Sequence, residues 1–300
     1  MNKILVILNP AARGERARSL RRTIEGFSAG LVVHETRKPG DARTLAQRAV
    51  QKGFSTIVAA GGDGTVNEVV NGIGQADVTL GVLPVGTMNV FALELGMENK
   101  DLKHAWGVIE KGWTREIDLP LANGEPFVQL AGVGLDAEVV RQTTPEFKKA
   151  LGPVSYVISL VQAAARKPPK ITVTDAAGTV VEGSFVLVGN GRYYGGPLVL
   201  FRNAKLDDGL LDVVVFKNQS HWDVIRYVQA VVFGDHTVLP DVTYFQSERV
   251  HIAAEGEVPV ELDGEIAGLA PFEFCFASRK LRVLAPEPSG SGRDKSGNRS

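Results

Sequence analysis

The stretch Ile57-Val58-Ala59-Ala60-Gly61-Gly62-Asp63-Gly64-Thr65-Val66-Asn67-Glu68 joins an apolar run, a turn almost free of side chains and the start of an amphipathic segment. Three glycines let a backbone approach a phosphate closely and aim N–H groups at it, and a helix beginning there adds partial positive charge. Asp63 then stands where a Mg²⁺ ion or a substrate hydroxyl would be met. The same residues would also make a strand-to-helix turn that binds nothing. Two better-known phosphate loops are excluded: no Gly-Lys dipeptide occurs in the chain, and neither Gly132-x-Gly134 nor Gly72-x-Gly74 extends to G-x-G-x-x-G.

Other short segments have chemistry to offer. Leu83-Pro84-Val85-Gly86-Thr87-Met88-Asn89 is a second small-residue turn after an apolar run, and Thr87 and Asn89 can hydrogen-bond a phosphate or ribose beside Asp63. A type II turn followed by a helix cap would use the same residues. Asn9-Pro10-Ala11-Ala12-Arg13-Gly14 also follows a strand and opens a helix, which brings its backbone and Arg13 toward the same place. Asp118 sits where one half of the chain gives way to the other, a place where clefts form. Lys205-Leu206-Asp207-Asp208-Gly209-Leu210 combines two acids with a turn glycine; it reads first as a hairpin turn and second as an oxygen cage for a hard cation. Asp263-Gly264-Glu265 lies between two strands and is by itself a β-turn. Glu265 becomes a candidate general base only if that turn faces a cleft.

The elements that position these residues follow from hydrophobic periodicity. Strands are expected at residues 3–8, 31–35, 56–60 and 80–83, with helices to about residue 28, at 41–52, through residue 73 and at 101–111. Val66, Val69, Val70 and Ile73 share one helix face, and Thr65 with Glu68 fits a capping box at the start of that helix. Alternating strands and helices predict an α/β domain with a parallel sheet, whose ligands bind at the carboxyl ends of the strands. Asn9, Thr36, the Gly61 turn and the Gly86 turn all fall at that end. From about Pro120 the rhythm changes to strands at 126–131, 171–175, 180–188, 198–201, 210–216, 248–253, 257–262 and 272–276, an antiparallel β-sandwich. Helices near 153–166 and 220–233 interrupt it, and Trp222, Ile225, Val228 and Val232 on the second are expected to be core. The organisation is therefore residues 1–120 as an α/β domain, 121–279 as a sandwich domain and 286–300 as a disordered tail.

With 300 residues, 44% apolar and 22% charged, the chain can build two ordinary cores. A formal net charge of −1 offers no general field for nucleic acid. Its single cysteine, Cys275, lies in an apolar run and reads as a buried strand residue rather than a nucleophile. No apolar stretch approaches the length of about 18 residues that a membrane span needs, and Met1-Asn2-Lys3 leads into a strand rather than a signal peptide. The expectation is a cytoplasmic protein that meets any lipid at the membrane surface.

Taken in order, Asn9-Pro10, Gly61-Gly62-Asp63-Gly64-Thr65-x-Asn67-Glu68, Leu83-Pro84-x-Gly86-Thr87-x-Asn89, Ala131-Gly132-x-Gly134-x-Asp136-Ala137, Leu206-x-Asp208-Gly209 and Asp263-Gly264-Glu265 resemble the diacylglycerol kinase catalytic-domain family. That family includes soluble bacterial lipid kinases, and sphingosine and ceramide kinases look similar. The resemblance runs to about residue 285. It implies an N-terminal domain like that of 6-phosphofructokinase and NAD kinase, a C-terminal β-sandwich, and ATP in the cleft between them. It also implies a last strand, near Lys280–Leu284, that returns to the first domain. Carried over by motif, nucleotide contacts fall on Asn9, Pro10, Ala11, Ala12, Arg13, Thr36, Gly61, Gly62, Asp63, Gly64, Thr65, Val66, Asn67, Glu68 and Thr87. Glu265 becomes the proton acceptor, with Asp63 beside the reacting phosphate as a metal orienter or a base. Mg²⁺ is placed on the Asp208 side chain with the carbonyls of Lys205 and Leu210.

The function implied is ATP- and Mg²⁺-dependent phosphorylation of a lipid hydroxyl, on diacylglycerol or a close relative, at the bilayer surface; a homodimer is compatible with it. Two departures from the family pattern stand out: Ala12-Arg13 replaces Ser-Gly in the first loop, and Val90 follows Asn89 where Asp is usual. NAD kinase shares the Gly-Gly-Asp-Gly-Thr turn and is the alternative enzyme. A non-catalytic nucleotide- or lipid-binding module is the alternative without chemistry.

Overall fold

The computed structural model describes residues 3–10, 15–29, 31–97, 101–142 and 168–287. The first lobe runs β1 (Ile4–Leu8), α1 (Glu15–Glu25), β2 (Val32–Glu35), α2 (Asp41–Gln51), β3 (Thr56–Gly61) and α3 (Asp63–Ile73). It continues with β4 (Thr79–Pro84), α4 (Val90–Glu94), α5 (Leu102–Lys111) and β5 (Thr114–Ile117). Strands β1, β3 and β4 are almost wholly apolar and buried along their length, as strands of a parallel sheet covered on both faces must be. Helices α2 and α3 cross closely at Gly72, where a Cβ would stand 2.4 Å from the Arg43 carbonyl and 2.6 Å from Ala46 Cβ.

The second lobe begins with β6 (Pro120–Ala122), β7 (Glu125–Pro126), β8 (Leu130–Val133), α6 (Leu135–Gln142), β9 (Ile171–Asp175), β10 (Val180–Gly183) and β11 (Phe185–Gly189). Next come β12 (Tyr193–Tyr194), β13 (Leu198–Val199), β14 (Leu211–Phe216), α7 (His221–Phe233), a 3-10 turn at His236–Val238 and β15 (Val242–Ser247). The chain closes with β16 (Val250–Ala254), β17 (Pro259–Leu262), β18 (Glu265–Leu269), β19 (Phe272–Phe276) and β20 (Leu281–Leu284).

Among the described residues the strands form three six-stranded sheets and a two-stranded pair of β12 and β13. The first has the order β2-β1-β3-β4-β20-β5 and is parallel except for β5, so the last strand of the chain does return to the first lobe, between β4 and β5. The other two, β10-β9-β16-β19-β6-β7 and β15-β14-β11-β8-β17-β18, are antiparallel and face each other. Val133, Val173, Val186, Val213, Ile252, Val260 and Phe274 fill the layer between them. A separate cluster on the outer face of the second of these sheets stacks Phe185 on Phe216, with ring centroids 4.4 Å apart, beneath Tyr227 of α7.

Several sequence expectations need correction. The strand expected over 180–188 is two strands in different sheets, separated at Gly183-Ser184. A Cβ on Gly183 would lie 2.5 Å from Val215 Cγ1, so this crossing tolerates no side chain. The strand expected at 126–131 begins at Leu130 instead, because the amides before it are drawn onto Asp263. Helix α7 packs with Val224 and Tyr227, while Trp222 is 80% exposed and Ile225 and Val232 are also exposed. Of the four positions read as core only Val228 packs against the sheet cluster and the other three point outward, since apolar spacing alone does not say which stripe meets the sheet. Cys275 is half-buried in β19. The helix expected near 153–166 and the tail beyond Glu287 lie outside the described residues.

Candidate active site

The glycine turn ends β3 at the carboxyl edge of the parallel sheet. Helix α3 starts at Asp63 with Gly62 as its N-cap, and the amides of Thr65 and Val66 both donate to the Gly62 carbonyl, at 2.9 and 3.1 Å. The Asp63 and Gly64 amides therefore lie in the open first turn, where a helix leaves donors unsatisfied. The turn of Pro84 to Asn89 packs directly on it. A Cβ on Gly86 would lie 2.4 Å from the Gly62 Cα and 2.7 Å from Asn89 Oδ1. Asn89, at φ 52°, caps α4 and donates to the Gly86 carbonyl at 2.9 Å. Two backbones touch here without side chains between them, which leaves the rim above them unobstructed by their own residues.

The acids of this rim have structural partners. Asp63 Oδ1 accepts from the Phe91 amide at 3.0 Å, so it secures the start of α4 from the first turn of α3. Glu68 accepts from the amides of Gly40 and Ala42, each at 2.9 Å, and of Arg43 at 3.4 Å. The expected capping box is thereby corrected: Glu68 caps α2, where a carboxylate answers that helix's open donors and positive end. Thr65 is buried and its hydroxyl accepts from Asn9 Nδ2 at 2.9 Å, tying the first loop to the glycine turn. Val66 is buried, so its side chain is closed to any ligand at the rim. Pro10 follows Asn9 at the end of β1, the Thr36 amide donates to the Leu8 carbonyl at 2.9 Å, and Thr87 is exposed on the second turn. Ala11, Ala12 and Arg13 lie outside the described residues.

From the other lobe comes the β17–β18 hairpin. Asp263 at φ 49° and Gly264 at φ 88° form its two-residue turn, the left-handed pair that a type I′ hairpin requires. The Asp263 carboxylate is wired four ways. It accepts from the amides of Val128, Gln129 and Leu130 at 2.8, 2.9 and 3.0 Å, and from Asn67 Nδ2 of α3 at 2.7 Å. Burial raises its pKa above the ordinary aspartate value, and the four donors oppose that rise. Asn67 thus spans the two lobes. Glu265, the next residue of the turn, is exposed and its Oε1 lies 3.8 Å from where a Cβ on Gly64 would stand. An acid of the sandwich faces the glycine turn of the parallel sheet.

Sequence reasoning missed a second interlobe contact because α4 itself was not anticipated. Glu94, on α4, accepts from the Tyr193 amide at 2.7 Å and from Gln129 Nε2 at 3.1 Å. Burial pushes its pKa up, against those two donors. The only advance sign is the acid in Phe91-Ala92-Leu93-Glu94-Leu95, which breaks an otherwise apolar run.

The proposed metal turn lies elsewhere in the second lobe. Asp118, buried at the crossing between lobes, accepts from the Gly209 amide at 2.7 Å and pairs with Lys280 Nζ at 2.9 Å. Lys280 also donates to the Asp207 carbonyl at 3.0 Å. Asp208 is exposed and accepts from the Leu210 amide at 3.1 Å. One carboxylate with the Lys205 and Leu210 carbonyls is a hard-oxygen set of the kind Mg²⁺ takes. Among the described residues no group of three or more His, Cys, Asp or Glu side chains could hold a metal.

Residues 3–122 match the family model for the diacylglycerol kinase catalytic domain, and residues 129–285 match that for the YegS C-terminal NAD kinase β-sandwich-like domain. A diacylglycerol kinase of Bacillus subtilis is 31% identical over 302 residues, spanning 98% of this chain and all of the relative. One from Staphylococcus aureus strain JH9 is 31% identical over 258 residues, 85% of this chain and 82% of the relative. The crystal structure of a diacylglycerol kinase from Bacillus anthracis superposes with a TM-score of 0.77 at 28% identity, covering 95% of this chain and 97% of that one.

Proposed function

We propose, from the premise that this chain belongs to the diacylglycerol kinase catalytic-domain family, that it transfers the γ-phosphoryl group of ATP to a hydroxyl of diacylglycerol or a closely related lipid. The observation that carries this reading is the 3.8 Å approach of Glu265 to the Gly64 position. A base for an acceptor hydroxyl and a cradle for a phosphate chain need to face each other across a narrow gap. Here they come from different lobes, and Asn67 and Asp263 join those lobes beside the gap.

The phosphates lie along the open first turn of α3, where the Asp63 and Gly64 amides and the positive helix end stabilise negative charge. Asn9, Thr36 and Thr87 border that turn. The absence of side chains at Gly62 and Gly86 leaves room for this approach. Mg²⁺ arriving with ATP would offset phosphate charge; Asp208 with the Lys205 and Leu210 carbonyls would hold an ion of its own in the second lobe. Glu265 accepts the hydroxyl proton as the oxygen attacks the γ-phosphorus, and the bond from that phosphorus to the β–γ bridging oxygen breaks, releasing ADP. Its exposure fits an acceptor that arrives from outside the cleft. Asp63 lies within the same turn but spends one oxygen on α4, which favours a positioning role for it and the base role for Glu265. Among the described residues no helix is long and apolar enough to cross a membrane, so the lipid is taken from the bilayer surface.

The test is phosphorylation by labelled ATP of a panel of diacylglycerol, ceramide, sphingosine, monoacylglycerol and NAD, with wild type, Glu265→Gln and Asp63→Asn. Diacylglycerol is expected to be the best acceptor, and Glu265→Gln to lose it. Phosphorylation of NAD alone, or tight ATP binding without turnover on any acceptor, sinks the proposal.

A further inference from the structure

Behind the Asp263-Gly264-Glu265 turn lies a pair of carboxyl groups that the proposed reaction does not use. Glu261, on β17, is 1% exposed and Asp136, on α6, is 3% exposed. Gly132 of β8 pairs with Glu261 and lies beneath α6, and a Cβ there would lie 2.6 Å from Asp136 Oδ2 and 2.8 Å from Glu261 Oε1. The two oxygens converge on the space that Gly132 leaves empty. Their other oxygens already have donors: the Gly264 amide gives its hydrogen to Glu261 Oε2 at 2.6 Å, and the Tyr194 hydroxyl gives its hydrogen to Asp136 Oδ1 at 2.6 Å. With both groups ionised, Glu261 Oε1 is a buried acceptor without a donor.

Two carboxylates this close and this buried do not both carry charge. A single proton between Glu261 Oε1 and Asp136 Oδ2 removes one charge and supplies the missing donor, as in carboxyl dyads that share a proton. Among the described residues, the ionisable groups that face Glu261 are Asp136 from α6, Tyr194 from β12 and Asp263 from the turn, all of them acids. Glu138, also on α6, is paired with Arg141 at 2.8 Å. Burial first, and the nearby Asp136 second, push the Glu261 carboxyl well above its usual range.

The geometry points to Asp136 and Glu261 as proton-sharing positioning residues that hold the Gly264 amide, and through it fix where Glu265 faces the glycine turn. This rests on the reading of Glu265 as the base. The four bonds to the Asp263 carboxylate anchor the first residue of the turn, and the Glu261-to-Gly264 bond fixes the second, next to Glu265. Gly132 is required because any side chain there would part the two acids.

The proton sharing and the positioning are tested separately on the full chain. A group whose folded pKa is raised binds its proton in the folded state over a pH range where the unfolded chain has lost it, so stability falls as pH rises through that range. The wild-type unfolding midpoint is expected to fall as pH rises from about 5, just above the ordinary glutamate value, to about 9. Glu261→Gln keeps the acceptor for Gly264 and offers Asp136 an amide hydrogen in place of the shared proton, so its midpoint is expected to fall less steeply. Asp136→Asn makes the same replacement from the other side, should the first variant not fold. For positioning, Glu261→Leu is expected to lower kcat more than tenfold with KM for ATP within threefold, and Glu261→Gln to recover most of that loss at pH 7. A wild-type midpoint that does not fall over this range, parallel slopes in wild type and Glu261→Gln, or equal kcat in Glu261→Leu and Glu261→Gln overturns the proposal. If Glu265→Gln keeps wild-type kcat, the base assignment falls, while the stability slopes still decide whether the proton is shared.

Discussion

The Gly61–Thr65 turn and the Asp263–Glu265 turn are both made of glycine and acid at a strand end, yet they use these residues in opposite ways. In the first, Gly86 has to be glycine because a Cβ there would lie 2.4 Å from the Gly62 Cα, whereas Gly62 is extended and a Cβ on it would meet Gly86 at an ordinary 3.4 Å. In the second, Gly264 has open space around it and has to be glycine because φ is 88°. The acid of the first turn is committed to capping α4. The second turn has two acids with divided duties, Asp263 half-buried under four donors and Glu265 exposed toward the other lobe. Glycine–acid composition thus marks a turn, and only the surroundings say whether closeness, handedness, wiring or chemistry required it.

Substitutions can break this contrast. Glu265→Gln is expected to reduce kcat by at least about 100-fold, in the range of lost general-base catalysis, with the unfolding midpoint unchanged. Asp63→Ala is expected to lower both activity and stability, the latter by about 1 kcal/mol for a lost cap, as measured by denaturant unfolding. If Glu265→Gln is the one that unfolds early, the division between wired and exposed acids is wrong.

Asp263→Ala should be the most destabilising change in either turn. It leaves three backbone amides and Asn67 without an acceptor, and unpaired buried donors cost about 1–3 kcal/mol apiece before relaxation. A loss below about 1 kcal/mol by chemical denaturation would show that water replaces the carboxylate. The two glycines give the sharpest pairwise comparison. Gly86→Ala drives a Cβ into backbone and is expected to cost about 1–3 kcal/mol and to raise KM for ATP. Gly264→Ala meets nothing and pays only left-handed strain, about 1–2 kcal/mol, with its effect in kcat. Reversal of the KM and kcat effects would collapse the distinction between a cradle and a hinge. The smallest expected change is Glu68→Ala, about 1 kcal/mol from losing the α2 cap, with KM for ATP nearly unchanged because its carboxylate faces α2 rather than the rim.

Much of the fold was legible in order. Apolar runs at 4–8, 56–61 and 79–84 could only be buried strands, and the chemistry-bearing turns fell at their carboxyl ends because alternating strands and helices permit little else. The two-residue Asp263-Gly264 hairpin was readable from its composition. Other parts were not. Nothing local distinguished one strand over 180–188 from two in different sheets, because the break is imposed by Val215 and Phe216 of a distant strand. Helix α7 shows one apolar side to the sequence and buries another, since its packing partner is the sheet under Phe185 and Phe216. Asn67 and Glu68 read as nucleotide residues from their motif, whereas their side chains hold Asp263 and the start of α2.

By itself the sequence determined the α/β lobe, the change to antiparallel strands near Pro120, the glycine turns and the kinase family, because these depend on residue type and near spacing. The tertiary structure alone decided that Asp63 and Asp263 hold backbone amides while Glu265 faces the Gly61–Thr65 turn of the other lobe. Glu265 and Gly64 stand two hundred residues apart, and so do Asn67 and Asp263, about that far. Contacts at such separation are set by how two cores dock, and a charge acquires its role from what surrounds it once water has been excluded.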